Sequence, residues 1–276
     1  MPFKSKTGPI VATTSAQWQH RLLTILFLAN YALMLVRLWW PMSLPGKPGW
    51  PDAVLFALAA GSTIATLARY LPLQNILFAA LVIALAGGAV TWLDLKTGIP
   101  FGPLSFGDSL GPKLRHTLPW ALPVIWIVAV LNSRGVARLI LRPWRKIHSY
   151  GYWLIGLAAG LTAIFDLTLD PFASRVKYYW IWGPTKFPLS WHGAPLVTFF
   201  GWAVVSLLIL AFVTPLLINK QPHKRLPPDF HPLIVWLGAV LLFGAGAASA
   251  GLWSAAVLDG IIGIVVATFA IRGASW

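Results

Sequence analysis

The chain has 276 residues, of which 58% are apolar and 10% are charged, and its mean hydropathy is +0.73. Soluble domains carry about a quarter charged residues, so the composition excludes an ordinary soluble protein and predicts a chain largely surrounded by lipid. The sequence contains no cysteine, which excludes disulfides, thiolate metal sites and a cysteine nucleophile.

The net charge of +14 raises the question of nucleic-acid binding. The basic residues, however, lie at the ends of apolar segments and do not form one stripe interleaved with aromatic residues. Cations in that arrangement are typical of loops that contact lipid headgroups. The charge therefore predicts a membrane partner and no nucleic-acid partner.

Apolar runs divide the chain into candidate membrane spans, because about 20 apolar residues cross the hydrocarbon core. The first run ends in "VRLWWP" without a small-residue cleavage pattern, so we interpret it as an uncleaved span. The predicted fold is an all-α, polytopic transmembrane helix bundle of about eight spans, forming a single domain over 1–276. The spans are predicted at 22–41, 52–71, 75–94, 119–140, 152–170, 195–218, 231–249 and 251–271.

The distribution of Lys and Arg predicts the orientation of this bundle. The excess lies in the N-terminal segment and in the connections after even-numbered spans, which favours cytoplasmic termini in a bacterial inner membrane. Arg134 and Arg138 interrupt the fourth span, and they either snorkel or face the bundle interior. In this topology Asp94, Asp166 and Asp170 come to the same end of the bundle as the loops that follow the third and fifth spans.

Asp166 and Asp170 are two of only seven acidic residues, none of which is Glu. Their spacing of four places them on one helix face, and Pro171 predicts that the helix ends at or just before Asp170. Acidic residues inside a span are rare and usually functional, so Asp166 is a candidate catalytic acid. For Asp170, a functional role remains as open as the alternative that it simply reaches water at the interface or pairs with Arg175 or Lys177.

Asp94 ends the third predicted span beside Lys96, where it resembles an ordinary helix-end acid. Its position at the same end as the Asp pair makes it a further catalytic candidate. The loop "TGIPFGPLSFGDSLGP" follows it and matches no nucleotide-binding pattern. We interpret this loop as a lid or substrate-access segment lined by Phe101 and Phe106.

Four tryptophans cluster around the acidic pair in the sequence: Trp180, Trp182, Trp191 and Trp202. They are either belt residues at the membrane interface or the lining of a site where a cation develops. A desolvated aromatic face stabilises a cation by about 2 kcal/mol or more.

The six histidines are scattered over loops and span ends, with no pair at metal-ligand spacing. A membrane di-iron oxygenase or a zinc protease needs convergent ligands, so both classes are excluded. No serine lies in a G-x-S-x-G elbow. The sequence predicts no metal and no cofactor.

Five segments together resemble a known family, the integral-membrane carotenoid biosynthesis proteins that include the carotenoid 1,2-hydratases (the gamma-carotene 1'-hydroxylase and bisanhydrobacterioruberin hydratase group). The resemblance covers about the middle half of the chain, from Asp94 to Trp202. This chain departs from the family at Asp94, where Glu is frequent, and at Leu104, Phe106 and Phe199. The segments are "WLDLKTGIPFGPLSFGDSLGPKL", "LPWALPVIW", "FDLTLDP", "YYWIWG" and "GAPLVTFFGW".

The resemblance implies an enzyme that adds water across the terminal C1–C2 double bond of an acyclic, lycopene-like carotenoid end and gives a tertiary alcohol. It requires a carboxylic acid that holds its proton at neutral pH, aromatic faces for a tertiary carbocation, and a carboxylate that orients water. We assign catalysis to Asp166, Asp170 and Asp94. We assign substrate contacts to Trp126, Trp180, Trp182, Trp202, Phe101 and Phe106.

Other functions fit the same residues. An isoprenoid or carotenoid cyclase or isomerase would use the same acid and lose a proton in place of capturing water. A transporter would relay protons through the Asp pair, although the acids cluster at one end and no inverted repeat is evident. A scaffold subunit of a pigment-synthesis complex, with a decayed site, is a further alternative, and contact with other carotenoid enzymes is left open.

Overall fold

The computed structural model describes residues 14–40, 42, 49–184, 189–218 and 227–276. Within these residues, eight helices are each long and apolar enough to cross a membrane, which confirms the predicted all-α, polytopic bundle. The helices are α1 (Thr14–Trp39), α2 (Trp50–Leu67), α3 (Leu73–Thr97), α4 (Ala121–Ile140), α5 (Tyr150–Pro171), α6 (Leu196–Val213), α7 (His231–Ser249) and α8 (Trp253–Ala274).

Helix boundaries follow local signals in the sequence. α1 begins at Thr14, before the predicted 22, because the polar residues between them include no Pro or Gly that would interrupt a helix. α3 starts directly after Pro72 and ends at Gly98, whose φ of 69° lies in the left-handed region that stops a helix.

Three short antiparallel strand pairs lie in the connections that the sequence predicted only as loops. β1 (Leu104–Phe106) pairs with β4 (Trp180–Trp182). The other pairs are β2 (Lys113–Leu114) with β3 (Leu118–Pro119), and β5 (Ser190–Trp191) with β6 (Ala194–Pro195).

The helices alternate in direction, so the connections after α1, α3, α5 and α7 meet at one end, which we call the sheet end. The β1–β4 pair joins two of these connections. Trp50 packs on Trp120 with ring centroids 6.1 Å apart, and His192 Nε2 lies 3.0 Å from Ser254 Oγ at the start of α8. At the opposite end, His20 at the start of α1 lies within hydrogen-bond distance of Thr66 at the end of α2.

α4 lies at the centre of the bundle, in contact with α2, α3, α5, α7 and α8. Of the two arginines in α4, one faces the bundle interior and the other reaches the surface. Arg134 is buried and donates a hydrogen bond from Nη2 to the carbonyl of Leu217 over 3.0 Å, whereas Arg138 is exposed. The interior cation therefore ties α4 to the turn that follows α6.

α5 does not end at Asp170, so the prediction drawn from Pro171 is wrong. The helix runs through Pro171 and continues as a π-helical turn over Phe172–Val176. Proline lacks the N–H that would bond to the carbonyl of Leu167, but the chain stays helical beyond it, and the amide of Lys177 donates to the carbonyl of Phe172 over 2.9 Å. Both carboxyls of the Asp pair consequently lie within continuous helix and are buried.

Candidate active site

A cavity opens at the sheet end between α3, α4, α5 and α6, beneath the β1–β4 pair. The cavity has a volume of about 20 Å³, close to the space that one water molecule needs. Among the described residues that line it, Asp166 alone is acidic or basic. The lining residues are Thr91, Phe101, Leu104, Phe106, Leu122, Asp166, Trp180, Trp182, Thr198 and Trp202.

Asp166 projects from α5 into this cavity and is 2% exposed. Its Oδ2 atom has no hydrogen-bond partner among the described residues. A carboxylate in apolar surroundings without a partner has lost its hydration, which disfavours a charge at this position. The carboxyl group is therefore available to a molecule that enters the cavity.

Asp170 lies one helical turn further along α5 and is held by two indole groups. Trp180 Nε1 donates to Oδ1 over 2.6 Å. Trp182 Nε1 donates to both oxygens, over 3.0 Å to Oδ1 and 3.1 Å to Oδ2. The two neighbouring carboxyls thus differ, since Asp170 has N–H donors and Asp166 Oδ2 has none among the described residues.

The alternative pairing of Asp170 with nearby cations is not what the structure shows. Lys177 Nζ instead lies 2.9 Å from Asp52 Oδ1. The Nε atom of Arg175 donates to the carbonyl of His192 over 2.8 Å. Both cations that follow α5 therefore have other partners within hydrogen-bond distance.

Strand alternation explains why two tryptophans reach the same carboxylate. Residues i and i+2 of a strand point to one face, so Trp180 and Trp182 of β4 share a side while Ile181 points away and is exposed. Pairing with β1 fixes this strand, and Phe106 packs edge-on against Trp180 with centroids 6.3 Å apart. The loop after α3 therefore helps to place the donors that bind Asp170.

Asp94 is buried and holds the backbone of the loop after α3. Its Oδ1 atom accepts hydrogen bonds from the amides of Phe101 and Gly102, over 2.7 and 3.2 Å. Asp94 is not among the cavity-lining residues, but Phe101 is. Asp94 therefore affects the cavity indirectly, because it holds the backbone of Phe101, whose ring lines the cavity.

Trp202, Trp126 and Phe101 form an aromatic wall. The indoles of Trp126 and Trp202 stack with centroids 3.7 Å apart and an interplanar angle of 7°, and Phe101 lies 6.1 and 6.2 Å from them. Trp126 stands behind Trp202 rather than among the lining residues, and its Nε1 donates to Thr91 Oγ1 over 3.4 Å. This close packing depends on Gly201, where an added Cβ would lie 2.8 Å from Phe101 Cδ1.

A fourth buried carboxylate near the site was missed by the sequence analysis. Asp52, in the first turn of α2, accepts a hydrogen bond from Tyr179 Oη over 2.7 Å as well as the contact from Lys177. Burial, and then the charge of Asp52, raise the pKa of Tyr179 well above its ordinary value. The sequence signal was the scarcity of acidic residues, because Asp52 is one of the seven. This network anchors the residue that precedes Trp180.

The cavity also contains two threonines that the sequence analysis did not consider. Thr91 Oγ1 donates to the carbonyl of Gly87 over 2.8 Å, and Thr198 at the start of α6 is buried. Thr91 precedes Asp94 by three residues, so helical spacing from a candidate acid was the signal that could have found it. Among the described residues, no three His, Cys, Asp or Glu side chains form a group that could hold a metal ion.

Comparison with known proteins gives one family and one curated relative. Residues 51–266 match the family model described as "Carotenoid biosynthesis protein". The bisanhydrobacterioruberin hydratase of Haloarcula japonica is 29% identical over 135 residues, which cover 49% of this chain and 43% of that protein. No solved structure matches.

Proposed function

The chain belongs to the carotenoid biosynthesis protein family, and from that membership and the cavity we propose that it hydrates the terminal C1–C2 double bond of an acyclic carotenoid end. The observation that carries the proposal is the buried Asp166 carboxyl, unpartnered at Oδ2 among the described residues, in a cavity walled by tryptophan and phenylalanine. The substrate is an apolar polyene that reaches the bundle through lipid. The cavity volume of about 20 Å³ holds about one water molecule, so a carotenoid end enters only when the surrounding side chains or the loop after α3 move.

In the first step, the Asp166 carboxyl donates its proton to C2 of the terminal double bond. The electron pair of that bond forms the new C–H bond, which leaves a tertiary cation at C1 and a carboxylate at Asp166. General acids contribute about 10²- to 10⁴-fold to the rate of such a step. The acid must hold its proton at neutral pH, and apolar surroundings without a hydrogen-bond partner at Oδ2 favour that state.

The cation at C1 faces the aromatic side chains. Trp202 is stacked on Trp126 and cannot turn away, so its face is available to the cation in a fixed orientation. A desolvated cation over such a ring is stabilised by about 2 kcal/mol or more. Trp180 and Trp182 also line the cavity while their N–H groups bind Asp170.

Water then attacks C1, and the proton that it loses returns to the Asp166 carboxylate, so that the net change is the addition of one water molecule. Asp170 does not line the cavity, but it lies one helical turn from Asp166 and accepts hydrogen bonds from the two tryptophans that do. We assign to Asp170 the positioning of Trp180 and Trp182, and to Asp94 the positioning of Phe101.

The test is expression of Asp166→Asn in a lycopene-producing host, with the carotenoids weighed by mass spectrometry. The amide cannot deliver a proton, so the tertiary alcohol should fall at least about 100-fold. Asp108→Asn is the matched control, because Asp108 lies on the same loop as Phe101 and its side chain is 94% exposed. An active Asp166→Asn variant would refute the assignment of the acid.

Isotope labelling separates the reaction classes. In labelled water the alcohol of the wild-type chain should carry the label, and in labelled O₂ it should not. Label from O₂ would contradict the acid mechanism. A cyclised hydrocarbon without a new oxygen would instead favour the cyclase, in which the same cation is quenched by proton loss.

We also propose that both termini face the bacterial cytoplasm. The end of the bundle opposite the sheet end, where α1 begins and α8 ends, carries most cations of the described residues, and the positive-inside rule places such an end in the cytoplasm. These cations include Arg21, Arg69, Arg138, Arg145 and Lys146. Fluorescent and phosphatase fusions at the C-terminus distinguish the two orientations, and phosphatase activity there would contradict this one.

A further inference from the structure

A second cavity lies at the opposite end of the bundle, where α4 is connected to α5. The chain leaves α4, makes a short 3-10 turn over Arg142–Trp144 and enters α5 at Tyr150. Its volume is about 330 Å³, against about 20 Å³ for the cavity of Asp166. We call it the basic groove, and it is lined by Leu141, Trp144, Ile147, Tyr150 and Trp153.

The walls of the basic groove are aromatic and accessible. Trp144 is 52% exposed and Trp153 is 65% exposed. Tryptophan and tyrosine at helix ends are typical of the membrane interface, where the ring contacts acyl chains and the polar atom reaches headgroups. The groove therefore lies at the depth of the lipid headgroups if α4 and α5 cross the bilayer.

Its rim is strongly basic. Arg138 lies three residues before the lining residue Leu141, and Arg145 and Lys146 directly follow the lining residue Trp144. Arg138, Arg145 and Lys146 are exposed. The sequence from 134 to 153 contains five Lys and Arg and no acidic residue. Positive charge beside the groove is thus not neutralised by any carboxylate of the same segment.

We propose that the basic groove binds the headgroup of an anionic phospholipid. The lipid phosphate lies against Arg138 and Arg145, and the glycerol and upper acyl chain lie along Trp144 and Trp153. Charge complementarity selects this occupant, because the rim offers guanidinium donors to a phosphate and the walls offer apolar surface to a chain. The site lies at the other end of the bundle from Asp166, so it does not rest on the proposed reaction.

Native mass spectrometry of the purified full-length chain in detergent tests this. Phosphatidylglycerol and phosphatidylcholine with the same acyl chains are added in separate arms. Each cation near a membrane contributes about 1 kcal/mol to anion attraction, so Arg145→Gln should weaken phosphatidylglycerol binding about fivefold. Arg21→Gln is the matched control, because it removes an exposed arginine from the same end but from α1.

A second variant, Trp153→Ala, removes a groove wall without changing the charge and should weaken phosphatidylglycerol binding as well. Both test residues are exposed, so neither variant is expected to unfold the chain. Equal binding of the two lipids would overturn the proposal. An equal loss of phosphatidylglycerol binding in Arg145→Gln and Arg21→Gln would also overturn it, because it would show that the lipid is attracted to the whole basic surface. A dimer whose population falls in Trp153→Ala would place a second copy of the chain in the groove and also overturn the proposal.

Discussion

The two indoles that bind Asp170 allow a graded prediction. Replacement of Trp180 by Phe keeps an aromatic ring in the cavity but removes the 2.6 Å hydrogen bond to Asp170 Oδ1. Replacement of Trp182 by Phe removes a donor that is shared between two oxygens at 3.0 and 3.1 Å. We expect both variants to hydrate carotenoid more slowly, and Trp180→Phe to be the slower one.

The magnitude follows from the hydrogen-bond geometry. A hydrogen bond to a charged group contributes about 1.5–3 kcal/mol, so losing the Trp180 donor should lower the rate about 10- to 150-fold if Asp170 must hold this ring in the cavity. Trp182 donates to the same carboxyl group over longer, shared distances, so we place its contribution at about 0.5–1.5 kcal/mol, which corresponds to about 2- to 10-fold.

The assay is the initial rate of alcohol formation in membranes of a lycopene-producing host, normalised to the amount of the chain by immunoblot. Trp191→Phe is the control, because Trp191 also lies at the sheet end but its Nε1 has no hydrogen-bond partner among the described residues. Equal rates for Trp180→Phe and Trp191→Phe would refute the role of the indole N–H groups. A larger loss in Trp182→Phe would refute the ranking by distance.

Three further outcomes are expected. Asp94→Asn should keep activity within about fivefold, because its amide oxygen can still accept from the Phe101 backbone. Asp94→Ala leaves the loop amides without this acceptor, so the loss of activity should correspond to more than the about 0.5–1.5 kcal/mol of a single hydrogen bond. The pKa of Tyr179 is raised in the folded state, so the protonated phenol stabilises the fold below the ordinary pKa of 10.0 and this stabilisation is lost as the pH rises above that value. The unfolding temperature of the wild-type chain should therefore fall above that pH, and it should fall less steeply in Tyr179→Phe. Gly201→Ala should lower the unfolding temperature and the activity, as overpacking costs about 1–3 kcal/mol, while Gly160→Ala, with nothing within 4 Å of the added atom, should not.

Local patterns predicted the helices well. The apolar runs gave all eight spans that the described residues contain, and the i,i+4 spacing placed Asp166 and Asp170 on one buried face. These features depend on residues that are close in sequence. The one local rule that failed was the proline stop after Asp170, because the helix continues through Pro171 into a π-helical turn.

Partners that are distant in sequence could not be predicted. Nothing in the loop after α5 shows that Trp180 and Trp182 belong to a strand, because the partner strand is β1, which follows α3. Tyr179 and Asp52 are 127 residues apart, and neither carries a signal for the other. Proximity in sequence also favoured the wrong partner for Lys177, which contacts Asp52 and not Asp170.

The β1–β4 pair connects the two halves of the proposed site. β1 belongs to the loop that Asp94 holds through the Phe101 amide, and β4 carries the two indoles that hold Asp170. A displacement of the loop after α3 must therefore either break this pairing or move the indoles with it. If the pairing holds, substrate access through that loop would move the two indoles away from Asp170 as it opens the cavity, and closure would return them.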